Sequence, residues 1–359
     1  MYKGPLIHSL LCSEFVELTL FMYLCRQKLK EEKQKVMNAI LKAHLSMLGA
    51  EVIWGLMSPI GKDAMTNGIS GLEMVAFRVS GAAMLFWISL LFVKYERVPI
   101  KDIFLFASVA LFGVTCNQCL FTIGLSYTSP INASVITTSM PIFAMILAFF
   151  ILREPITWKK AGGVIMGCTG AVILILTSMN AIDAKVGDVR GDLMVLGAQL
   201  SFALYLSLFN RLIKRYSVFT INRWMFLWAS LYVLPFAMDD LLAHDFALIS
   251  SKTWMETFYI VFFGTFVSYL LMMLGQHCLR PTIVGVYNYV QPIVAVLVSV
   301  FTGIAVFTLY QGSAVILVFS GVWLVIKSKS RKDMEIETSV CEKEKKSLTL
   351  QDSSNHNKK

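Results

Sequence analysis

The feature that most limits the fold of this chain is a series of ten apolar stretches, most of them about 20 residues long. A helix needs roughly 20 mainly apolar residues to cross the hydrocarbon layer of a bilayer, because its backbone groups find no water there. Only 15% of the residues are charged, against about a quarter in soluble domains. The sequence therefore predicts an all-α polytopic membrane protein with ten transmembrane helices. The predicted spans lie near 43–61, 72–93, 103–124, 131–152, 161–179, 193–210, 219–238, 257–276, 282–302 and 308–326.

The distribution of Lys and Arg predicts how the chain is oriented in the membrane. Positive charge is retained on the cytoplasmic side. If both termini are cytoplasmic, 26 of the 32 Lys and Arg residues lie in inner loops and tails, and four lie outside. We therefore predict a multi-pass protein of the inner (cytoplasmic) membrane with both termini inside. The asymmetry also accounts for the net charge of +9, which indicates contact with anionic membrane lipid and not with nucleic acid.

The two ends of the chain differ from the membrane part. Within residues 1–36, the stretch 6–25 is apolar but interrupted by Glu14 and Glu17. Residues 1–36 fit either a cytoplasmic or interfacial segment or a stretch upstream of a native start at Met37. Residues 329–359 are rich in Lys, Glu, Ser and Asn and bury too little apolar surface to fold. We expect this tail to be a disordered cytoplasmic extension.

The chain carries an internal repeat. A shift of 151 residues places Pro130 on Pro281 and Pro141 on Pro292, and a shift of 148 places Glu51 on Gln199. The predicted repeats are residues 37–180 and 181–328, with five spans each. Because five is odd, the second copy enters the membrane from the opposite side, which makes the two five-helix repeats inverted. Inverted repeats have two nearly equivalent arrangements around a site near the midplane, as alternating access requires.

Polar residues inside the spans coincide with the repeat. Ser134, Thr137, Thr138 and Pro141 recur at helical spacing and share one face of their span. The matching segment holds Tyr287, Asn288, Tyr289, Gln291 and Pro292. A proline inside a helix removes a backbone donor, so we expect helix kinks at Pro141 and Pro292. A single hydroxyl can equally bond to its own helix, but the Tyr, Asn and Gln set favours a polar cavity.

Glu51 and Arg78 lie deeper inside their predicted spans than any other charged residue. Glu51 lies near the middle of the first span, where a charge costs on the order of 3 kcal/mol, so it should face the protein interior, neutral or paired. Arg78 is either its partner or an anchor for a substrate carboxylate, and the alternative for Arg78 is snorkelling towards the outer headgroups.

Other polar and aromatic residues inside the spans are further candidates. Asn117 and Gln118 are possible ligand donors, and Asn117 is preferred because adjacent helical residues point about 100° apart. Trp54 and Tyr205 have rings that could stack on a substrate, although aromatic residues in spans more often belong to the core. The pair Cys116 and Cys119 has metal-ligand spacing but no second cysteine pair, so we expect neither a metal nor a cofactor.

Several motifs together resemble the EamA-type proteins of the drug/metabolite transporter superfamily. They are "WGLMSPIGK" at 54–62, "FRVSGAAML" at 77–85, "SYTSPINASVITTSMPIFAMILAFFILREPIT" at 126–157 and the matching region 276–321. The resemblance covers 43–327 and implies ten helices in two inverted repeats, an interior substrate cavity and secondary transport of small metabolites, often export. One departure is Ala305 at the position that matches Glu154, so we expect Glu154 to have a local role at the inner membrane surface. That role is either a cap near a helix end or an exposed ion pair with Arg153, Lys159 or Lys160.

The sequence thus predicts a secondary transporter, as a monomer or homodimer, that moves a small polar or amphipathic molecule by alternating access. No Walker-type glycine loop is present, so proton or ion coupling is expected, with Glu51 as the coupling candidate. One alternative is a passive channel or facilitator. Another is an intramembrane enzyme acting on a lipid, which needs paired carboxylates or a metal motif where the spans offer Glu51 almost alone.

Overall fold

The structure is a computed structural model that describes residues 4–128, 133, 136–179, 189–301 and 309–329. These residues form helices joined by turns and loops, with no strand among them. The α-helices are α1 (Gly4–Thr66), α2 (Gly71–Ile88), α3 (Ile100–Ala110), α4 (Asn117–Tyr127), α5 (Met140–Leu152), α6 (Trp158–Met179), α7 (Val189–Leu208), α8 (Asn210–Ile213), α9 (Val218–Ala243), α10 (Ser251–Val261), α11 (Ser268–Cys278), α12 (Pro281–Val286), α13 (Val290–Phe301) and α14 (Leu309–Ile326). Single 3-10 turns lie at Ser89–Leu91, Phe246–Leu248 and Tyr287–Tyr289.

Six helical stretches in the described part are long and apolar enough to cross a membrane. They are Met37–Thr66, Gly71–Leu91, Ile100–Tyr127, Val189–Leu208, Val218–Ala243 and Ser251–Cys278. Two shorter apolar helices, Met140–Leu152 and Gly312–Ile326, lie in other predicted spans. The all-helical membrane fold is therefore confirmed, whereas the count of ten spans stays a prediction. Ser134, Ala305 and residues 330–359 of the predicted tail lie outside the described residues.

The third predicted span of each half contains a π-helical segment at the same position. The segments Leu111–Cys116 and Phe262–Val267 are π-helical, and they join α3 to α4 and α10 to α11. They lie 151 residues apart, which is the shift that aligns the prolines. A π-helical turn widens the helix and releases backbone groups from the regular ladder, and such turns are frequent at functional sites. The duplication therefore extends to an irregular feature of the backbone.

The two halves pack through equivalent contacts. A Cβ on Gly124 of α4 would lie 2.9 Å from the carbonyl oxygen of Gly191 on α7. At the position 151 residues later, a Cβ on Gly275 of α11 would lie 2.4 Å from the side chain of Met47 on α1. In both halves a glycine allows close approach to the first long helix of the other half, as small residues do in membrane bundles. The halves are thus interlocked and share one core.

Local capping explains why several helices begin where they do. The Ser70 hydroxyl accepts a hydrogen bond from the backbone N–H of Glu73 (3.2 Å), and the Glu73 carboxylate accepts one from the N–H of Ser70 (2.6 Å). This capping box satisfies donors that the first turn of α2 leaves unpaired. The second Glu73 oxygen lies 2.7 Å from Nδ1 of His244, which ties the loop after α9 to the start of α2.

The loop between α2 and α3 is held against the start of α9. The Glu96 carboxylate accepts a hydrogen bond from the backbone N–H of Ser217 (2.9 Å). Partial burial opposes the charged form of Glu96, but hydrogen bonds from Ser217 and Thr220, together with the positive charge of Arg223, lower its pKa overall. This loop belongs to the predicted inner face.

The two prolines lie directly after breaks in the α-helical pattern. Pro141 is at the first turn of α5, after a turn at residues 138–139, so its missing N–H costs α5 no hydrogen bond. Pro292 follows the 3-10 turn Tyr287–Tyr289 and lies near the start of α13. The expected kinks stay predictions, but both prolines are buried and both accompany an irregular stretch.

Candidate functional site

A polar cavity lies between the two halves of the bundle. Side chains from the first half line one side: Trp54, Met57, Ser58, Arg78, Asn117, Gln118, Phe121 and Thr137. Side chains from the second half line the other: Gln199, Phe202, Tyr269, Asn288 and Gln291. The centres of water-sized molecules can occupy about 60 Å³ of the cavity. The unfilled space is about 550 Å³ when the open mouth is included. The smaller value has room for a few water molecules.

The predicted site residues divide into two groups. Six line the cavity: Trp54, Arg78, Asn117, Thr137, Asn288 and Gln291. Five lie outside its lining: Glu51, Thr138, Tyr205, Tyr287 and Tyr289. Ser134 lies outside the described residues.

Glu51 lies behind two amides of the cavity wall. The carboxylate is 1% exposed, and the Gln291 amide donates a hydrogen bond to its Oε2 (2.7 Å). The Asn288 amide also faces it, and with its nitrogen turned towards Glu51 it donates at 3.0 Å to Oε1 and 3.3 Å to Oε2. An amide has a donor nitrogen and an acceptor oxygen at nearly equivalent positions. If Glu51 is protonated, either amide can therefore turn its oxygen towards the carboxyl and accept a hydrogen bond from it. Glu51 is therefore joined to α13 and its preceding turn in either protonation state.

Arg78 does not pair with Glu51. Its Nε donates to the Thr265 hydroxyl (3.0 Å) and its Nη1 to the Thr122 hydroxyl (3.2 Å). The side chain is nearly fully buried and lines the cavity, so the expectation of snorkelling is wrong. The predicted ion pair between Arg78 and Glu51 is also wrong, because Glu51 is hydrogen-bonded to two amides. The role as an anchor for a substrate carboxylate stays a prediction.

The amides on the cavity wall are more numerous than predicted. Asn117 donates to the backbone carbonyl of Ala198 (3.0 Å), and Gln118 donates to the Tyr269 hydroxyl (3.2 Å). Both line the cavity, although only one of the adjacent residues was expected to, because the wall wraps around the first turn of α4. Gln118 Oε1 is buried without a partner among the described residues. Gln199, the repeat counterpart of Glu51, is a lining residue that the sequence marked only through the alignment.

Aromatic rings close the cavity beside the π-helical segments. Trp54 packs edge-to-face against Phe202, its counterpart in the repeat, and against Tyr269, with ring centroids 6.4 and 5.8 Å apart. The Trp54 N–H donates to the carbonyl of Gly264 (3.0 Å), and the Tyr269 hydroxyl donates to the carbonyl of Gly113 (3.3 Å). Each π-helical segment therefore offers a glycine carbonyl to an aromatic residue of the cavity wall. Helical periodicity alone carries no signal for this arrangement.

The 3-10 turn at Tyr287–Tyr289 separates three predicted residues. A 3-10 helix has three residues per turn, so successive side chains point about 120° apart. Only Asn288 reaches the cavity. The Tyr287 hydroxyl lies 2.7 Å from Nδ1 of His44 on α1, and the Tyr289 hydroxyl donates to the carbonyl of Val164 on α6 (3.0 Å). Neither tyrosine lines the cavity, and their part in substrate binding stays a prediction.

Two other predicted residues pack behind the cavity. Tyr205 is fully buried and donates to Oε1 of Gln276 (2.8 Å). Its ring lies against Gly113, where an added Cβ would come within 2.7 Å of it. The Thr138 hydroxyl lies 3.8 Å from the Cys168 sulfur on α6. These contacts support the cavity wall without lining it.

Glu154 forms a buried interaction and not the exposed ion pair that was expected. Lys160 Nζ lies 2.8 Å from its Oε2, and the exposed fractions of the two side chains are 1% and 11%. Thr282 at the start of α12 also donates to this oxygen (3.4 Å). The charged pair therefore joins the loop before α6 to the second half, which makes it an inter-repeat contact outside the cavity.

The sequence matches the family described as the EamA-like transporter family over residues 41–176 and again over 189–327. The chain belongs to the EamA-like transporter family. The expected family is therefore confirmed, and the two matches correspond to the two halves that pack around the cavity. The protein is accordingly a multi-pass membrane protein of a transporter family, and small-molecule transport follows from that membership.

Relatives extend over most of the chain. The Bacillus subtilis (strain 168) protein named "Uncharacterized transporter YetK" is 24% identical over 81% of this chain and 88% of its own length. An "Uncharacterized transporter" of Archaeoglobus fulgidus is 24% identical over 77% of this chain and 95% of its own. The Arabidopsis thaliana "Protein WALLS ARE THIN 1" is 25% identical over 83% and 86%. One crystal structure superposes with a TM-score of 0.62 at 16% identity, covering 79% of this chain and 96% of the other, which supports the fold.

Proposed function

We propose that this protein is a secondary active transporter that moves a small metabolite through the cavity between its repeats by alternating access, with export from the cell as the proposed direction. The repeats are residues 37–180 and 181–328, and the chain lies in the cytoplasmic membrane with both termini inside. The observation that carries the proposal is the composition of the cavity wall. Its polar groups come from both halves, so any relative movement of the halves changes the site.

The small volume of the cavity supports a site that must open. The centres of water-sized molecules have only about 60 Å³, which is room for a few water molecules. We expect the halves to separate at one face when a larger metabolite enters. The equivalent contacts of Gly124 and Gly275 on opposite halves favour two similar arrangements, one for each face.

Glu51 is the proposed coupling residue. Its carboxyl is shielded from water and is held by two amides of the second half. Asn and Gln side chains can donate to a carboxylate or accept from a protonated carboxyl, so the network accommodates a change of protonation. A movement of α13 relative to α1 would expose the carboxyl and let it exchange a proton or release an ion.

The test begins with the substrate. Metabolite profiling of deletion and overexpressing cells identifies the compound whose level changes, and labelled compound is then followed in proteoliposomes. A carrier gives saturable flux that unlabelled compound on the opposite side stimulates. Linear flux without such counterflow would contradict the proposal and favour the channel.

A second experiment tests coupling. Glu51→Gln should abolish uptake driven by a pH gradient while it retains exchange of labelled for unlabelled compound. Glu256→Gln is the matched control, because this partly buried glutamate on α10 does not line the cavity. Full pH-driven uptake by Glu51→Gln would remove Glu51 from the mechanism.

The orientation is tested separately. A green fluorescent protein fused after Lys359 should fluoresce, and alkaline phosphatase fused there should be inactive, because both report a cytoplasmic end. The opposite pattern would overturn the predicted orientation but not the transport proposal.

A further inference from the structure

Arg78 carries a positive charge at the cavity that no described residue neutralises. Its two hydrogen-bond partners, Thr265 and Thr122, are neutral hydroxyls. Thr265 in turn donates to the backbone carbonyl of Ile260 (2.9 Å), so its hydroxyl is held in place as an acceptor for Arg78. Among the residues that the structure describes, no carboxylate lies within 4 Å of this guanidinium.

The geometry leaves part of the guanidinium available to a ligand. An arginine has five N–H donors in a fixed planar arrangement, and a protein does not normally deprotonate it. Nε and Nη1 each use one donor, and Nη2 makes no hydrogen bond to any part of the chain that the structure describes. The Nη2 atom is not fully enclosed by the described part of the protein, as expected for a group at the cavity surface.

The rest of the wall indicates the sign of the ligand charge. Of the described residues that line the cavity, Arg78 is the one with a charged side chain, and the others are amides, hydroxyls, thioether and aromatic groups. Glu51 is hydrogen-bonded to the amides of Gln291 and Asn288 and forms no ion pair with Arg78 in the described part of the chain. A buried charge is stabilised only when an opposite charge or several hydrogen bonds replace water. The site is therefore complementary to an anion.

The wall also indicates the rest of the ligand. Trp54 and Tyr269 direct their polar atoms to the backbone carbonyls of Gly264 and Gly113, so their ring surfaces are what remains for a ligand. Phe202 and Phe121 add further apolar surface. Amides such as Asn117 and Gln118 add a few orienting polar groups, as in most small-molecule sites.

We propose that the substrate is a small organic carboxylate, with its carboxylate bound to the free N–H groups of Arg78 and its apolar part against the aromatic wall. This inference rests on the proposed transport function and adds the substrate class to it. Arginine suits a carboxylate because its planar donors match the two oxygens. The two threonines position the guanidinium, since they fix it before the ligand arrives.

The experiment measures binding to purified full-length protein and does not depend on transport. The probes are a series of monocarboxylates from acetate to benzoate, each compared with its neutral amide, and binding is followed by Trp fluorescence and thermal stabilisation. We expect at least one carboxylate to bind the wild type about tenfold more tightly than its amide, since charge-assisted hydrogen bonds are roughly twice as strong as neutral ones.

Variants assign the preference to Arg78. Arg78→Gln should bind the carboxylate and its amide equally, and Arg78→Lys, which keeps the charge, should retain part of the preference. Arg223→Lys is the control, because this second buried arginine, on α9, does not line the cavity and should keep the full preference. The proposal is wrong if no carboxylate binds more tightly than its amide, or if the preference survives in Arg78→Gln. Carboxylate binding without counterflow in proteoliposomes would instead contradict the proposed carrier mechanism and leave the carboxylate-binding site at Arg78 standing.

Discussion

The buried pair of Glu154 and Lys160 gives a quantitative test of how the halves are joined. Lys160→Met keeps the length and apolar stem of the side chain but leaves the Glu154 carboxylate without its cation. The Glu154 side chain is only 11% exposed, and the remaining hydrogen bond from Thr282 is long at 3.4 Å. Breaking a buried ion pair on one side costs about 3–5 kcal/mol. Because water reaches Glu154 slightly, we expect a loss of about 3 kcal/mol in the free energy of unfolding.

The double variant separates the interaction from the loss of either side chain. Glu154→Gln combined with Lys160→Met removes both charges and retains an oxygen for Thr282. It should cost only about 1 kcal/mol, because no buried charge is left unpaired. The double variant should therefore be about 2 kcal/mol more stable than Lys160→Met alone, although it carries one substitution more. The assay is reversible unfolding of purified protein in mixed micelles, titrated with denaturing detergent.

A surface pair on the predicted inner face is the control. Arg215 lies 3.0 Å from Asp102 with 61% of its side chain exposed, so Arg215→Met should cost less than about 1 kcal/mol. If Lys160→Met costs no more than Arg215→Met, or if the double variant is as unstable as the single one, the buried pair does not join the halves as the contacts indicate.

Three further predictions follow from other contacts. Glu96 has a lowered pKa in the folded protein, so its contribution to stability is complete above its ordinary pKa of 4.5 and is lost as the pH falls through the lower folded pKa. The melting temperature of Glu96→Gln should therefore fall less steeply from about pH 6 to 3 than that of the wild type. Gly113→Ala should destabilise by about 1–3 kcal/mol because its methyl meets a buried tyrosine ring, whereas Gly264→Ala meets a flexible methionine thioether and should cost less; equal losses in detergent unfolding would contradict this packing. Gln291→Leu removes a donor to Glu51 and should shift the pH dependence of uptake in proteoliposomes; an unchanged profile would show that this amide does not affect coupling.

Much of the fold follows from patterns that are local in sequence. Apolar length alone predicts where the helices lie, since a bilayer leaves a chain few other ways to satisfy its backbone. The duplication is also visible in the sequence, because Pro141 and Pro292 keep the same spacing from their neighbours. It directed attention to Asn288, Gln291 and Thr137, which do line the cavity. The family follows from the same motifs.

The direction in which a buried side chain points was not predictable in this way. Tyr287 and Tyr289 were assigned to the cavity because they are bulky and polar and lie in the repeated segment, and the 3-10 turn directs them to α1 and α6 instead. Glu154 was expected at the surface because the matching repeat position holds Ala305, yet it is covered by α12 from the other half. Both results depend on helices that are distant in sequence.

The sequence by itself determined the membrane setting, the helices and the duplication, because these depend on hydrophobic length and on residue spacing along the chain. Only the tertiary structure decided which polar groups meet: Glu51 with the amides of the second half, and Arg78 with two hydroxyls and no carboxylate among the described residues. The physical reason is that a buried polar group must find its partner wherever packing brings one within about 3 Å, and that partner is set by the way helices cross, which no local pattern encodes.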